Sequence, residues 1–168
     1  MSSLDLGSGL LRIALGVMIL LHGWNKTKTK TALAGTSGWF SSIGMLKPAL
    51  QARFASLSEI GAGVLLITGI FVPIAAGAVV AIMIVAIVVE HRSNGFFIFN
   101  EGQGWEYTAI VAIASLSLGA LGGGKYSLDN AFNLHFTGLT GFVIAIILGV
   151  VGAGAQLAIF YRPSKKAQ

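Results

Sequence analysis

A charged residue lies in the middle of the first apolar segment of the chain. Arg12 is surrounded by the apolar residues 4–21, and Glu59 lies within a second apolar segment. A charge at the centre of a membrane helix costs roughly 2.5–3.5 kcal/mol on insertion scales, so such residues are usually paired and functional. The pattern therefore indicates an intramembrane polar site with Arg12 and Glu59 as its candidate residues.

The positions of these two residues predict an ion pair between them. Glu59 lies eleven residues after Pro48, where the second helix is predicted to begin, and Arg12 lies ten residues before His22. At 1.5 Å per residue the two side chains would start from similar depths. Three interpretations follow. The pair neutralises itself and sets the register of the helices, it anchors a ligand headgroup or a proton, or Arg12 extends to the membrane interface instead.

A second group of polar residues is predicted at the helix ends on one face of the membrane. It consists of His22, Lys26, Glu90, His91 and Glu106. Imidazole and carboxylate groups together can bind a metal or relay protons, but the Glu-x-x-His spacing of a di-metal bundle is missing. We therefore predict no metal site. Ordinary interfacial polar residues and a site for a ligand or a proton are the two remaining interpretations.

The composition is that of an integral membrane protein. Hydrophobic residues make up 55% of the chain and charged residues 10%, with a mean hydropathy of +0.82. Soluble domains carry roughly 25% charged residues. The net charge of +5 is therefore read as membrane topology, and nucleic acid is not expected as a partner. Since the chain has no cysteine, thiol redox chemistry and Cys-ligated iron–sulfur clusters are excluded.

Five apolar segments are long enough, or nearly so, to cross a bilayer, which takes about 20 residues. They are residues 4–23, 48–70, 73–89, 105–121 and 136–161. The second and third are separated by Gly69 and Pro73 and should form a tight hairpin. A long polar loop is predicted over residues 24–47. Residues 93–104 contain three phenylalanines and are interpreted as an aromatic interfacial anchor or as a cover over an apolar ligand.

The basic residues predict the orientation of the chain. With five spans, only Lys125 falls on one side, and nine basic residues fall on the other: Lys26, Lys28, Lys30, Lys47, Arg53, Arg92, Arg162, Lys165 and Lys166. By the positive-inside rule, the N-terminus lies outside and the C-terminus in the cytoplasm. Anionic lipid is the expected surface partner.

Small residues recur on the faces of two predicted helices. Gly9, Gly16 and Gly23 are spaced by seven, and Gly141 and Gly149 flank Ala145 at steps of four. Such residues let helix backbones approach closely in lipid. They are expected to pack helices together.

Several stretches, in this order and spacing, resemble the DoxX family of bacterial membrane proteins. They are Arg12-Ile-Ala-Leu-Gly16, His22-Gly-Trp-Asn-Lys26, Trp39-Phe40, Glu59 with Gly63 and Gly69, Trp105-Glu106, and Gly122-Gly-Gly-Lys-Tyr-Ser-Leu-Asp129. The resemblance covers about residues 8–130. It implies a four-helix bundle in the bacterial inner membrane and a link to redox chemistry through the related small subunits of thiosulfate:quinone oxidoreductase. The family pattern falls on Arg12, Lys26, Glu59, Glu106 and Asp129.

The fifth span departs from that four-helix pattern. We therefore predict an all-α membrane protein with a DoxX-like domain over residues 1–130, and an additional transmembrane helix with a basic cytoplasmic tail over residues 131–168. The small-residue face of this helix has no expected partner in the four-helix core. We predict that it docks on another subunit, in a homo- or hetero-oligomer.

The function expected from these observations is that of a membrane subunit of a larger redox-linked complex, with a quinone or a bound lipid as the candidate cofactor. The sequence contains no hydrolase triad, phosphate loop or dinucleotide fingerprint, so no self-sufficient active site is predicted and enzymatic activity stays open. One alternative is a non-catalytic accessory or assembly subunit. The other is a small transporter or proton pathway, although no second half of the chain repeats the first.

Overall fold

Helices account for the architecture of residues 2–163, which the computed structural model describes. Five long helices are joined by loops and by two shorter helices. They are α1 (Ser3–Thr27), α2 (Lys30–Ser42), α3 (Pro48–Thr68), α4 (Val72–Ala86), α5 (Glu106–Leu121), α6 (Leu128–Ala131) and α7 (Gly138–Phe160). The helix of α4 continues through a π-helical turn, Ile87–His91, and a 3-10 turn, Arg92–Asn94. No β-strand occurs within residues 2–163.

Four helices of the described chain are long and apolar enough to cross a membrane. They are α1, α3, α7 and the continuous helix Val72–Asn94. The apolar α5 has 16 residues, about 24 Å at 1.5 Å per residue. Its two ends nevertheless lie at opposite ends of the bundle. At one end the Glu106 carboxylate accepts a hydrogen bond from the Ile98 N–H, just after α4, and at the other the Gly122 carbonyl accepts one from the Ser8 hydroxyl of α1. The protein is a multi-pass, all-helical membrane protein.

The two ends of the bundle differ in charge. At the basic end lie Lys26, Lys28, Lys30, Lys47, Arg53, Arg92 and Arg162. The opposite end holds the turn between α3 and α4 and the loop after α5, where the Lys125 N–H donates to Asp5 on α1. Lys165 and Lys166 lie outside the described residues. The alternation of the helices across the bundle thus follows the predicted order.

Close glycine contacts join α1 to α3. A Cβ atom on Gly16 would lie 3.0 Å from the Gly63 carbonyl oxygen, and one on Gly23 would lie 2.7 Å from the Ser56 carbonyl oxygen. These contacts confirm the predicted packing role of Gly16 and Gly23. Gly9 has no neighbouring atom within 4 Å and takes no part in it.

The small-residue face of α7 packs inside the bundle. Ala145 is fully buried, and a Cβ on Gly119 of α5 would lie 2.8 Å from the Ala145 Cβ. A Cβ on Gly149 would overlap Val80 of α4. The prediction that this face has no partner in the core is therefore wrong. The physical reason is that α4 and α5 present small residues of their own, so that α7 fits against both.

Residues 24–47 are mostly helical and do not form the predicted polar loop. Helix α1 continues to Thr27, and the Thr29 hydroxyl accepts a hydrogen bond from the Ala32 N–H, which caps the start of α2. Phe40 is buried with Met45 and Ala52. Helix α2 thus covers the basic end of α3. The Thr- and Gly-rich composition concealed this short helix.

Candidate functional site

Arg12 caps the C-terminal end of α3. Its Nη1 donates to the carbonyl oxygens of Leu66 (2.9 Å) and Ile67 (2.6 Å), and its Nη2 donates to that of Tyr126 (2.8 Å). The last carbonyls of a helix lack partners within the helix. The buried guanidinium supplies donors to two of them. Arg12 therefore joins α1, α3 and the loop after α5 at the opposite end of the bundle.

Asp129 caps the N-terminal end of α4 beside it. The carboxylate accepts hydrogen bonds from the Phe71 N–H (2.7 Å) and the Val72 N–H (3.0 Å), and the Asp129 N–H donates to the Gly69 carbonyl (2.9 Å). Negative charge is favourable at a helix N-terminus. Arg12 and Asp129 together hold the tight turn between α3 and α4.

The predicted Arg12–Glu59 ion pair does not form. Arg12 lies level with Leu66, whereas Glu59 lies level with Gly23, eleven residues further along α1. In antiparallel helices each side chain leans toward the N-terminus of its own helix. Arg12 therefore leans toward the opposite end of the bundle and Glu59 toward the basic end, and the two side chains diverge.

Lys26 is the partner of Glu59. Its Nζ forms an ion pair and hydrogen bond with Glu59 Oε1, and the side chains of Lys26 and Glu59 are 27% and 4% exposed. Because α1 ends at Thr27 rather than near His22, Lys26 still belongs to the helix and leans toward Glu59. Within residues 2–163, Glu59 Oε2 and Arg12 Nε are the buried side-chain polar atoms without a hydrogen-bond partner.

The predicted interfacial group does not assemble around these residues. His22 is exposed on α1, whereas His91 Nδ1 lies 2.8 Å from the Gln103 carbonyl and the Glu106 carboxylate accepts from the Ile98 N–H. The last two contacts hold the loop between α4 and α5. No hydrogen bond or ion pair links His22, Glu90, His91 and Glu106 to one another within the described part of the chain. Lys26 alone of this group reaches the intramembrane site.

A cavity of about 330 Å³ lies beside the Lys26–Glu59 pair. It is lined by one face of α4 and of the π-helical turn that follows, from Ile74 to Val89, and by residues of α3 and α7, with Trp39 and Phe40 of α2 at the basic end. The volume is at the lower end of the range of small-molecule sites, roughly 300–1,000 Å³. Most of the lining is apolar. The cavity therefore suits an apolar molecule that carries a small polar group.

The cavity opens toward the lipid-facing surface of the bundle. Phe54 of α3, Ile74 of α4 and Leu148 of α7 line it, and these side chains are 55%, 47% and 43% exposed. Large apolar side chains within membrane-spanning segments are exposed to lipid, not to water. A ligand would thus enter sideways from the bilayer.

A further polar residue at the cavity, with its buried partner, was missed by sequence reasoning. Gln156 of α7 lines the cavity, and its Nε2 donates to Oε1 of the buried Gln51 on α3 (2.9 Å). These residues are 105 positions apart, and no local motif relates them. The signal that the sequence offered was an amide in each of two apolar helices.

The arrangement can hydrogen-bond a ligand. An ammonium has three N–H donors, and Lys26 directs one of them at Glu59. The other two are available to a carbonyl or hydroxyl oxygen. No group of three or more histidine and carboxylate side chains suitable for a metal occurs among residues 2–163. The predicted cover, the loop of residues 93–104, contributes no residue to the cavity lining.

The loop instead presents aromatic side chains at the basic end. Phe97 and Phe99 stack at 5.1 Å between ring centroids, and Phe99 is the most exposed of them. Hydrogen bonds from Asn94 and Asn100 hold the loop. The interpretation as an aromatic anchor at the membrane interface stays a prediction.

The helical bundle and its intramembrane ion pair define the class: a small multi-pass membrane protein with a lipid-facing cavity. A family model described as DoxX matches residues 7–92. The chain belongs to the DoxX family. The match spans α1 to α4 and includes Arg12, Lys26 and Glu59, whereas Glu106 and Asp129 lie beyond it. No match was found among curated proteins or solved structures.

Proposed function

We propose that this protein is a membrane subunit of a larger redox-linked complex and that its cavity holds a quinone-type molecule. The observation that carries the proposal is the apolar cavity of about 330 Å³ with the Lys26–Glu59 pair in its wall. In a bilayer, the apolar tail of a ligand gains little by leaving lipid, since lipid tails are equally apolar. Polar contacts to the headgroup therefore decide which molecule is held, and Lys26 offers donors to a ring carbonyl.

The redox centre is proposed to belong to a partner subunit. The chain has no cysteine, and the described residues contain no cluster suited to a metal. The quinone would exchange electrons with the partner while bound here. The partner is expected to dock on the exposed face of α7, which carries the side chains of Val143, Ile147, Val150 and Val151. The protein is proposed to lie in the bacterial inner membrane, with its basic end facing the cytoplasm and its N-terminus outside. Anionic lipid is the proposed partner of the basic end.

Gentle purification from native membranes, followed by mass spectrometry of proteins and extracted quinones, tests this proposal. The wild-type chain is expected to bring down at least one further subunit and a quinone. Lys26→Met is expected to keep the subunit and to lose most of the quinone, because the cavity then lacks its charged donor. A ligand-free homo-oligomer from wild-type membranes would contradict the proposal.

A non-catalytic accessory subunit is the second candidate function. It is favoured by the Arg12 and Asp129 contacts, which use both charges to hold backbone groups. If the protein only scaffolds its neighbours, the double variant Lys26→Met/Glu59→Leu will leave the turnover of the assembled complex unchanged. If the cavity holds the quinone, turnover will fall although assembly is normal.

A proton pathway is not proposed. Within residues 2–163, the buried ionisable side chains other than Glu59 are Arg12 and Asp129, and both are held by backbone groups at the opposite end. They form no chain of proton carriers from Glu59 across the bundle.

A further inference from the structure

The Gln51–Gln156 pair lies near the basic end of the bundle and joins α3 to α7, whereas Lys26 lies on α1. It is the side-chain hydrogen bond recorded between α3 and α7 in the described chain. Gln156 lines the cavity, as do Lys26 and Glu59. The cavity therefore has two polar points, the Lys26–Glu59 pair and Gln156, with mostly apolar lining around them.

The geometry points to Gln156 as a second recognition residue, which binds the far oxygen of a ring whose near oxygen lies at Lys26. This inference rests on the proposed function, and it specifies the ligand as a ring with oxygen substituents at opposite ends. Lys26 on α1 and Gln156 on α7 both line the cavity, so a ring held between them would present one oxygen to each.

Gln51 positions Gln156 for this role. By accepting one N–H of the Gln156 amide, it leaves the amide with one further N–H and with its carbonyl oxygen. The N–H can donate to a quinone carbonyl, and the oxygen can accept from a quinol hydroxyl. Gln156 can therefore bind both redox forms of the ring without a change of charge.

Helix α7 also takes part in the site. Leu148, Gly152 and Gln156 are its contributions to the cavity, and α7 lies beyond the residues that match the family model. The cavity is thus built jointly by the family-matched helices and by the additional C-terminal helix. Lys26 of α1 and Gln156 of α7 would set the headgroup preference together.

A comparison of two probes tests the inference on the full chain in nanodiscs. The first is a para-benzoquinone with a decyl tail, whose binding is read from quenching of Trp39, a cavity-lining residue. The second is a phenol with the same tail, which carries oxygen at one end of the ring and is measured by displacement of the quinone. The Trp39→Phe variant keeps Trp24 and Trp105, so the quenching that it loses is the part that comes from Trp39 in the cavity.

Gln156→Leu is expected to weaken the quinone by about threefold to tenfold, as for one neutral hydrogen bond, and the phenol by less than twofold. The double variant Gln51→Leu/Gln156→Leu leaves no unpaired amide and should show the same selectivity with an unchanged thermal midpoint. Equal effects on the two probes, or no effect on the quinone, would overturn the inference. If neither probe binds the wild-type protein saturably, the proposed function itself fails.

Discussion

Replacing Arg12 with leucine is expected to destabilise the fold while leaving the ligand cavity intact. Arg12 is buried and donates three hydrogen bonds to backbone carbonyls. Side-chain hydrogen bonds in membrane proteins average about 0.6 kcal/mol each, which gives about 2 kcal/mol for the three. Hydrogen bonds to charged groups in proteins are worth about 1.5–3 kcal/mol each, and the lower end of that range gives about 5 kcal/mol. The expected loss is therefore about 2–5 kcal/mol.

Equilibrium unfolding in mixed detergent micelles measures this loss. Arg53→Leu is the matched control, because Arg53 is exposed on α3 and makes no hydrogen bond recorded within residues 2–163. It should change stability by no more than about 0.5 kcal/mol. Quinone binding should be the same in both variants. The reasoning is refuted if Arg12→Leu loses less than about 1 kcal/mol, or if it abolishes quinone binding at unchanged stability.

Three further predictions concern packing, charge and orientation. Gly63→Ala should cost about 1–3 kcal/mol of unfolding free energy through overpacking, because its Cβ would lie 2.6 Å from a side-chain atom of α1, whereas Gly61→Ala, with nothing within 4 Å, should be neutral or slightly stabilising. Thermal unfolding compares the two, and equal losses would contradict the packing argument. Lys26→Met should cost about 1–3 kcal/mol, below the 3–5 kcal/mol of a fully buried broken pair because Lys26 is partly exposed; adding Glu59→Leu should recover most of it, and a further loss would speak against the ion pair. Lys125→Cys, the single thiol of that variant, should react with a membrane-impermeant maleimide in intact cells, and labelling only after lysis would reverse the proposed orientation.

The fold class and the helix ends near Gly69 and Pro73 were predictable because hydropathy and breaker residues act locally. The packing of Gly16 and Gly23 was predictable because a small residue repeated along one helix face indicates a close contact with another helix. Helix α2 was not, because its Thr- and Gly-rich sequence resembles a loop and its single buried aromatic, Phe40, is recognised only once α3 lies against it.

The residues of the site were partly predictable, and their partners were not. Lys26 and Glu59 stood out by charge and by the family pattern. Their pairing depended on where α1 ends and on the Gly16–Gly63 contact that sets the register of α1 against α3. The polar pair Gln51–Gln156 depends on the packing of α7 on the bundle, which no spacing along the chain encodes.

Saturable quenching of Trp39 by a decyl para-benzoquinone in nanodiscs tests the central claim most directly. The account predicts saturable quenching that disappears in Trp39→Phe and is weakened about tenfold or more in Lys26→Met, as for the loss of a charged hydrogen bond. Quenching that rises linearly with quinone in the membrane, with equal slopes in wild type and Lys26→Met, would contradict it, because the quinone would then be partitioning into lipid rather than binding in the cavity.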